Sequence, residues 1–228
     1  MKSISYFITG TDTEIGKTTL SCLIIRALGE KGLRVAPMKP VAAGAVQIGG
    51  TWKNEDVDAL SGASNLALPV SLVCPFLLKT PAAPHLAAKL DGYPIDVDHI
   101  LSCYRALCQL ADAVIVEGVG GFCVPFTDRV DSSDLAVKLN LPVILVVGIK
   151  LGCINHALLT AEAIRARGLK LAGWIANRID PDMMLADENI RTLEALLDAP
   201  RLGTVPYLES FAEAHTYLNL ASLPDWPL

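Results

Sequence analysis

The sequence has no basic cluster, no cysteine pair with Cys-x-x-Cys spacing and no apolar run long enough to cross a bilayer. A net charge of −5 without a basic cluster argues against nucleic acid as a main partner. The longest apolar run, residues 141–149, contains a proline and a glycine and is typical of a buried strand. We therefore expect neither a nucleic-acid partner nor a membrane partner.

Cysteine usage and the start of the chain predict a cytoplasmic protein. The first apolar run follows Met1, Lys2 and Ser3 directly, so we expect no signal peptide. Most of the six cysteines lie in apolar segments, where a free thiol behaves as a small hydrophobic group; they are Cys22, Cys74, Cys103, Cys108, Cys123 and Cys153. We expect all of them to be reduced, and the scattered histidines disfavour a His/Cys metal site.

The composition indicates one folded domain that spans residues 1–228. Apolar residues make up 52% of the chain and charged residues 19%, which is enough to build a sizeable core. No repeat, low-complexity tract or second domain is apparent in the sequence. The last residues, 218–228, are expected either to pack on the surface or to fray.

Short apolar runs alternate with helical patterns along the chain. The runs rich in valine and isoleucine that predict buried parallel strands are residues 5–9, 34–39, 113–117, 142–148, 171–177 and 203–206. Helical patterns cover residues 17–29, 96–110, 132–139, 154–167 and 186–197. This alternation predicts a doubly wound α/β fold with a mainly parallel sheet, helices on both faces and ligands at the carboxyl ends of the strands. Residues 41–65 and 75–94, which hold many glycine, polar or proline residues, are predicted to be irregular.

A phosphate-binding loop is predicted between the first strand and the first helix. Residues 10–18 read Gly-Thr-Asp-Thr-Glu-Ile-Gly-Lys-Thr, and five residues rather than the usual four separate the two glycines. Backbone N–H groups and a helix N-terminus favour a polyphosphate at such a loop. Lys17 adds a positive charge near the β- and γ-phosphates, and the Thr18 hydroxyl can hold Mg²⁺. The fold is therefore predicted to be P-loop NTPase-like.

A carboxylate at the end of a predicted strand indicates where Mg²⁺ would bind. Glu117 ends a wholly apolar strand, and burying a bare carboxylate is costly. Mg²⁺ is its natural partner, because this ion favours hard oxygen ligands and phosphate. Either Asp56 or Asp58 could complete the site with Thr18 and Glu117.

Two other polar residues end predicted strands at the expected ligand edge of the sheet. Lys39 ends the strand of residues 34–39 and precedes the segment Pro-Val-Ala-Ala-Gly. Asn177 ends the strand of residues 171–177, and its amide can both donate to and accept from an adenine edge.

Six segments of the chain occur in the order found in one known family. They read Gly-Thr-Asp-Thr-Glu-Ile-Gly-Lys-Thr from Gly10, Met-Lys-Pro-Val-Ala-Ala-Gly from Met38, Asn-Glu-Asp-Val from Asn54, Glu-Gly-Val-Gly-Gly from Glu117, Leu-Gly-Cys-Ile-Asn-His from Leu151 and Trp-Ile-Ala-Asn from Trp174. Over nearly its whole length the chain resembles the dethiobiotin synthetases. The first and fifth segments are highly specific together, whereas the phosphate loop alone does not separate this family from its relatives.

The resemblance implies a homodimeric ligase of biotin biosynthesis that depends on ATP and Mg²⁺. Such an enzyme joins CO₂ to 7,8-diaminopelargonic acid and closes the ureido ring of dethiobiotin, with release of ADP and phosphate. In the implied route an amine captures CO₂ as a carbamate, whose oxygen attacks the γ-phosphate. The second amine then closes the ring by displacing phosphate from a carbamic-phosphoric anhydride.

The resemblance also implies a role for each matching residue. The catalytic residues would be Lys17, Lys39 and Thr13. The nucleotide would contact Glu14, Ile15, Gly16, Lys17, Thr18, Thr19, Asn177, Pro206, Tyr207 and Leu208. Mg²⁺ would be held by Thr18, Asp56 and Glu117. The substrate would contact Thr13, Lys39, Gly118, Gly120, Gly121, Gly152, Cys153, Ile154 and Asn155, of which the last four open a helix that binds the substrate carboxylate across the dimer interface.

The chain departs from the family at Ala43, where a hydroxyl residue is common, so one hydrogen bond to the substrate is not expected.

Two other classes of protein share the predicted fold. A partitioning ATPase usually carries a second lysine early in the phosphate loop, where this chain has Thr11, Asp12, Thr13 and Glu14. A domain of an amidotransferase or acyltransferase would need an attached second domain, for which 228 residues leave no room.

Overall fold

The computed structural model describes residues 3–207 and 214–227. In chain order the strands are β1 (Ile4–Gly10), β2 (Val35–Met38), β3 (Val41–Ala42), β4 (Val46–Ile48), β5 (Thr51–Lys53), β6 (Phe76–Leu77), β7 (Ala113–Glu117), β8 (Val143–Ile149), β9 (Leu171–Arg178) and β10 (Arg201–Val205). The helices are α1 (Lys17–Glu30), α2 (Glu55–Ala63), α3 (Val70–Val73), α4 (Pro84–Leu90), α5 (Val97–Leu110), α6 (Ser132–Leu139), α7 (Cys153–Ala166) and α8 (Ala186–Leu196), with a 3₁₀ turn at Ala214–Tyr217.

A six-stranded parallel sheet in the order β10-β9-β8-β1-β7-β2 forms the centre of the fold. In the register of β1, Ile8 lies beside Glu117 of β7 and Gly10 lies beside Val146 of β8. The carboxyl ends of these three strands therefore meet at one edge of the sheet, where the phosphate loop leaves β1.

Alternate side chains of β1 enter two apolar cores, one on each face of the sheet. Tyr6 and Ile8 belong to the core beneath α1, whereas Phe7 belongs to the core beneath α5, α6, α7 and α8. This alternation follows from the two-residue period of a strand. Helices thus cover both faces, and the predicted doubly wound α/β fold with a parallel sheet is confirmed.

The strands of this sheet are the six that the apolar runs predict, with bounds that differ by no more than two residues. Residues 113–117 match β7 at both ends. Continuous apolar runs give this result because both faces of a central parallel strand are buried. The five predicted helices agree with α1, α5, α6, α7 and α8 to within one residue at each end.

The prediction that residues 41–65 and 75–94 are irregular is wrong in part. The first segment contains the antiparallel hairpin β4–β5 and helix α2, and the second contains β6 and α4. Asn54 caps α2, because its side-chain oxygen accepts hydrogen bonds from the backbone N–H groups of Asp56 and Val57. Val57 and Leu60 are then buried, which attaches α2 to the domain.

The C-terminal tail packs onto the start of the chain. Leu220 and Leu223 are buried in the core beneath α1. The Tyr6 hydroxyl donates a hydrogen bond of 2.5 Å to the carbonyl of Pro224, and the rings of Tyr6 and Trp226 lie 6.4 Å apart. Of the two expectations for the tail, packing is therefore the correct one for the residues described.

Within residues 3–207 and 214–227, no helix has both the length and the apolar character of a membrane span.

Candidate functional site

A cleft of about 960 Å³ opens at the carboxyl edge of the sheet. The predicted site residues that line it are Thr13, Glu14, Ile15, Gly16, Lys17, Thr18, Thr19, Lys39, Asp56, Gly120 and Gly121. Apolar residues also line it, among them Ala42, Ala43 and residues 81–84. The cleft thus combines the predicted phosphate loop with apolar lining.

The phosphate loop ends in an uncapped helix N-terminus. Gly16 precedes α1 with φ 84°, in the left-handed region that favours glycine, and no side chain caps the helix. Glu14 also has a positive φ, of 57°. The first N–H groups of α1 are therefore oriented toward the loop, as an anion site requires.

Lys17 is held in a buried position at the base of this loop. Its Nζ donates a hydrogen bond of 2.7 Å to the backbone carbonyl of Asp12. Burial, and then the nearby charge of Lys39, lower the pKa of Lys17 to about 8. A phosphate beside this ammonium would oppose both effects, so the loop is electrostatically prepared for an anion.

Lys39 links the two acidic residues of the site. Its Nζ lies 2.6 Å from Oε1 of Glu117 and 2.9 Å from Oδ2 of Asp56. Lys39 and Glu117 are both buried. Burial alone would lower the pKa of Lys39, but the negative charges of Glu117 and Asp56 outweigh it and raise this pKa. The ammonium therefore stays charged at the floor of the cleft.

The Thr18 hydroxyl lies between the same two carboxylates. Its Oγ1 is 2.8 Å from Oδ1 of Asp56 and 2.8 Å from Oε1 of Glu117. A hydroxyl has one proton and can donate to only one of them. The second oxygen of Glu117, Oε2, is buried and has no hydrogen-bond partner among the residues described. Three hard oxygen atoms that converge in this way fit Mg²⁺.

Only one of the two alternative aspartates belongs to this cluster. Asp56 lies in the first turn of α2 and faces the cleft, whereas Asp58 is exposed and does not line it. Within the described part of the chain, no group of three or more His, Cys, Asp or Glu side chains is arranged for a metal. A metal at this site would therefore rely on the Thr18 hydroxyl and on phosphate oxygens in addition to the two carboxylates.

The glycines after β7 let the backbone approach the phosphate loop. The N–H of Gly118 donates to the carbonyl of Ile8, and its own carbonyl lies 3.4 Å from Nζ of Lys39. Gly120 has φ 61°, and a Cβ there would lie 3.5 Å from Oγ1 of Thr13. A larger side chain at Gly120 would have a strained backbone and would reduce the space beside Thr13.

Asn177 contacts the phosphate loop itself. Its buried Nδ2 donates a hydrogen bond of 2.8 Å to the carbonyl of Ile15, and a Cβ on Gly16 would overlap this amide. Neither Asn177 nor the following nucleotide candidates, Pro206 and Tyr207, line the cleft. Leu208 lies outside the described residues. The adenine contacts of this group therefore stay a prediction.

The predicted carboxylate-binding helix also lies outside the cleft of its own chain. Gly152 precedes α7 with φ 93°, and no side chain caps this helix. The backbone N–H groups of Ile154 and Asn155 belong to the first turn of this helix, where the helix itself supplies no acceptor. Cys153 is buried, whereas the neighbouring Leu151 is 89% exposed. None of these four residues, 152–155, lines the cleft of its own chain.

The sequence did not predict an ion pair between Asp12 and Lys150. The Nζ of Lys150 lies 2.8 Å from Oδ2 of Asp12 in the phosphate loop. The two residues are 138 positions apart, so no local pattern could reveal the contact. The apolar lining formed by residues 81–84 was also missed, because its prolines were interpreted only as signs of irregular structure.

Comparisons with known proteins identify a family model and a relative that match the chain over most of its length. A family model described as an AAA domain matches residues 5–215. The ATP-dependent dethiobiotin synthetase BioD of Janthinobacterium sp. (strain Marseille) is 52% identical over 227 residues, which cover 97% of this chain and 96% of that protein.

Solved structures of low sequence identity share the fold. A ParA family ATPase from Chlorobium tepidum TLS is 14% identical with a TM-score of 0.57, over 98% of this chain and 94% of that chain. The MinC:MinD cell division protein complex of Aquifex aeolicus is 16% identical with a TM-score of 0.57, over 91% of this chain and 82% of that chain. At these identities the likeness extends to the P-loop NTPase-like fold alone.

Proposed function

The chain belongs to the dethiobiotin synthetase family, and we propose that the cleft above its phosphate loop is where the family's reaction takes place. The enzyme is an ATP-dependent ligase that joins CO₂ to 7,8-diaminopelargonic acid and closes the ureido ring of dethiobiotin. ATP and Mg²⁺ are its cofactors, and ADP and phosphate are released.

We also propose a cytoplasmic location, because all six cysteines are free thiols.

The reaction proceeds in three steps in this proposal. One amine of the substrate captures CO₂ as a carbamate. A carbamate oxygen attacks the γ-phosphate, which yields ADP and a carbamic-phosphoric anhydride. The second amine attacks the carbamoyl carbon, the bond from this carbon to the phosphate oxygen breaks, and phosphate leaves as the ring closes. The protein contributes mainly position and charge neutralisation, as in other phosphoryl transfers.

Lys17 and Lys39 supply the positive charge that this route needs. Lys17 lies at the start of α1, where the terminal phosphates of ATP would bind. Lys39 shares the carboxylates of Asp56 and Glu117 with Thr18, so its charge lies close to the phosphate loop. There it would contact both the carbamate and the γ-phosphate. Thr13 lines the same space and would contact the diamine and its carbamate. The observation that carries the proposal is this convergence of two buried lysines at one phosphate loop.

Thr18, Asp56 and Glu117 are the residues that would hold Mg²⁺. When bound, the ion would neutralise charge on the phosphates. Two features support the assignment: the single proton of Thr18 can serve only one of the two carboxylates, and Oε2 of Glu117 has no donor among the described residues. Glu14, Ile15 and Thr19 complete the loop around the phosphates.

The metal assignment can be tested by ion binding without turnover. Glu117→Gln and Asp56→Asn are expected to weaken Mn²⁺ binding in the presence of ADP by about tenfold or more, because a direct ligand should matter at least as much as the outer-shell partners of a metal site. Asp58→Asn is the matched control on the same helix and should leave the affinity unchanged. Electron paramagnetic resonance of free Mn²⁺ measures all three variants. Loss of affinity in Asp58→Asn with normal affinity in Asp56→Asn would reverse the assignment.

Asn177, Pro206 and Tyr207 are proposed to hold adenine. The Nδ2 group of Asn177 uses one hydrogen on the carbonyl of Ile15, which fixes the orientation of the amide. The amide oxygen and the second N–H remain to pair with the adenine edge.

We propose that the substrate carboxylate binds at the start of α7 in a second subunit, so that the active enzyme is a homodimer. The uncapped N-terminus formed by Gly152, Cys153, Ile154 and Asn155 suits an anion, and these residues do not line the cleft of their own chain. A partner subunit would supply them, and the exposed Leu151 beside them is an apolar contact available to that partner.

Removing one of these contacts to the carboxylate should change KM for the diamine more than KM for ATP. Asn155→Ala is expected to raise KM for the diamine by about tenfold or more, the scale of a hydrogen bond to a charged group, with little change in KM for ATP. Glu162→Gln, exposed on the same helix, serves as the control. Sedimentation of the wild-type enzyme should show a dimer at assay concentrations. An active monomer would rule out a shared site.

The overall reaction can be tested by its substrate requirements. ADP release by the purified enzyme should need both 7,8-diaminopelargonic acid and bicarbonate, and omission of either should return the rate to background. An ATPase rate that does not depend on the diamine would contradict the proposed function.

A further inference from the structure

Two contacts join the phosphate loop to β8 and the residue after it: the backbone N–H of Thr11 donates a hydrogen bond of 3.0 Å to the carbonyl of Val146, and a side-chain ion pair forms beyond the end of the strand. The Nζ of Lys150, the residue after β8, lies 2.8 Å from Oδ2 of Asp12, and both side chains are partly exposed. The hydrogen bond from Lys150 is the largest cause that lowers the pKa of Asp12. The other half of the loop is fastened by the bond from Asn177 to Ile15.

Asp12 connects this ion pair to two residues of the active site. Its second carboxylate oxygen, Oδ1, accepts a hydrogen bond of 2.8 Å from the backbone N–H of Thr13. Its backbone carbonyl accepts a hydrogen bond of 2.7 Å from Nζ of Lys17. Because Asp12 makes all three contacts, a shift of Lys150 would move Asp12 and, through it, Thr13 and Lys17. Lys150 itself touches neither of these two residues.

Lys150 also begins the turn that leads into α7. Its backbone carbonyl accepts a hydrogen bond of 3.0 Å from the N–H of Cys153, the first residue of that helix. Its side chain extends in the other direction, to the phosphate loop. Lys150 thus connects two parts of the proposed site. One is the loop that would bind ATP, and the other is the start of α7, which would bind the substrate carboxylate in the active site of the partner subunit.

We propose that Lys150 and Asp12 are a positioning pair, which keeps the phosphate loop aligned with the start of α7 so that Thr13 and Lys17 meet the carbamate and the γ-phosphate. The inference rests on the proposed function of the cleft. The pair does not touch the reacting atoms and acts through Asp12. Since partly exposed ion pairs contribute little to global stability, its loss should change kinetics rather than folding.

Substitutions at Lys150 separate positioning from general stability. Lys150→Met should lower kcat about 5- to 50-fold, somewhat less than the 10²-fold associated with a 1 Å misplacement of reacting groups, with little change in KM for ATP. Lys150→Arg keeps the charge and should restore at least about half of the wild-type kcat, because the ion pair can re-form. Lys170→Met removes an exposed lysine just before β9 and is the matched control. Thermal unfolding of each variant should remain within about 2–4 °C of wild type.

A double-mutant cycle tests whether Lys150 acts through Asp12. Asp12→Asn should lower kcat to a similar extent as Lys150→Met, and the double variant should be no slower than the slower single variant, because the second change removes an interaction already lost. ADP affinity, measured by calorimetry, provides a readout independent of turnover and should stay within about threefold of wild type in all variants.

Three results would overturn the proposal: normal kcat in Lys150→Met, an equal loss in Lys150→Arg and Lys150→Met, or multiplicative losses in the double variant. Failure of the proposed function would appear differently. In that case wild-type enzyme itself would not couple ADP release to the diamine and bicarbonate.

Discussion

Lys17→Ala is expected to reduce turnover to a small fraction of the wild-type rate, well below one tenth, while leaving the fold intact. Lys17 follows Gly16 at the start of α1, is buried, and carries its ammonium at the base of the phosphate loop. The negative charge beside it increases as the γ-phosphate is transferred, so its contribution is larger in the transition state than in the ground state.

A matched lysine at the other end of α1 controls for nonspecific effects of this change. Lys31 is exposed and follows the last turn of the helix, far along the chain from the loop, so Lys31→Ala should keep the wild-type rate. Steady-state kinetics and circular dichroism measure rate and fold for both variants. If Lys17→Ala keeps a tenth or more of the wild-type turnover, the assignment of the phosphate loop is wrong.

Lys39→Gln should lower kcat by about 10²-fold or more, on the scale of losing one donor to a developing oxyanion. The ammonium of Lys39 is held at 2.6 Å from Glu117 and 2.9 Å from Asp56, and Lys39 lines the cleft. The substitution also leaves the charge of the buried Glu117 without its partner, which is destabilising. The melting temperature is therefore measured alongside kcat, and rates are compared below the unfolding range.

Ala43→Ser is the control at another residue that lines the cleft. It restores at most one neutral hydrogen bond, worth about 0.5–1.5 kcal/mol, so KM for the diamine should fall by no more than about tenfold. A normal kcat in Lys39→Gln would remove Lys39 from the mechanism. A large gain in kcat from Ala43→Ser would mean that the substrate of this chain differs from 7,8-diaminopelargonic acid.

The parts of the fold that the sequence predicts are those set by local patterns. The central strands were predictable because burial on both faces demands continuous apolar runs, and Glu117 is marked by being the carboxylate that ends such a run. Helix α2 was missed although Asn54 is a good capping residue, since the glycine and charged residues around it were taken as signs of a loop.

Long-range contacts within the site could not be predicted. The amide of Asn177 bonds to Ile15 across 162 positions, and Lys150 pairs with Asp12 across 138. The order of β1, β8 and β9 in the sheet brings these partners together, and no spacing in the chain does so. The sequence indicated that Asn177 lies at the ligand edge but gave no sign of Lys150, and only the structure shows which side chains meet there.

Transfer of oxygen from CO₂ to phosphate tests the central claim most directly. In the proposed route the oxygen of the carbamate that attacks the γ-phosphate stays on phosphorus when the ring closes. With ¹⁸O-labelled CO₂, short incubations and mass spectrometry of the released phosphate, we predict one ¹⁸O atom per phosphate formed and one dethiobiotin per ADP. Phosphate without ¹⁸O, whose fourth oxygen comes from solvent, would contradict attack by the carbamate at this phosphate loop if it is released at the same rate as dethiobiotin.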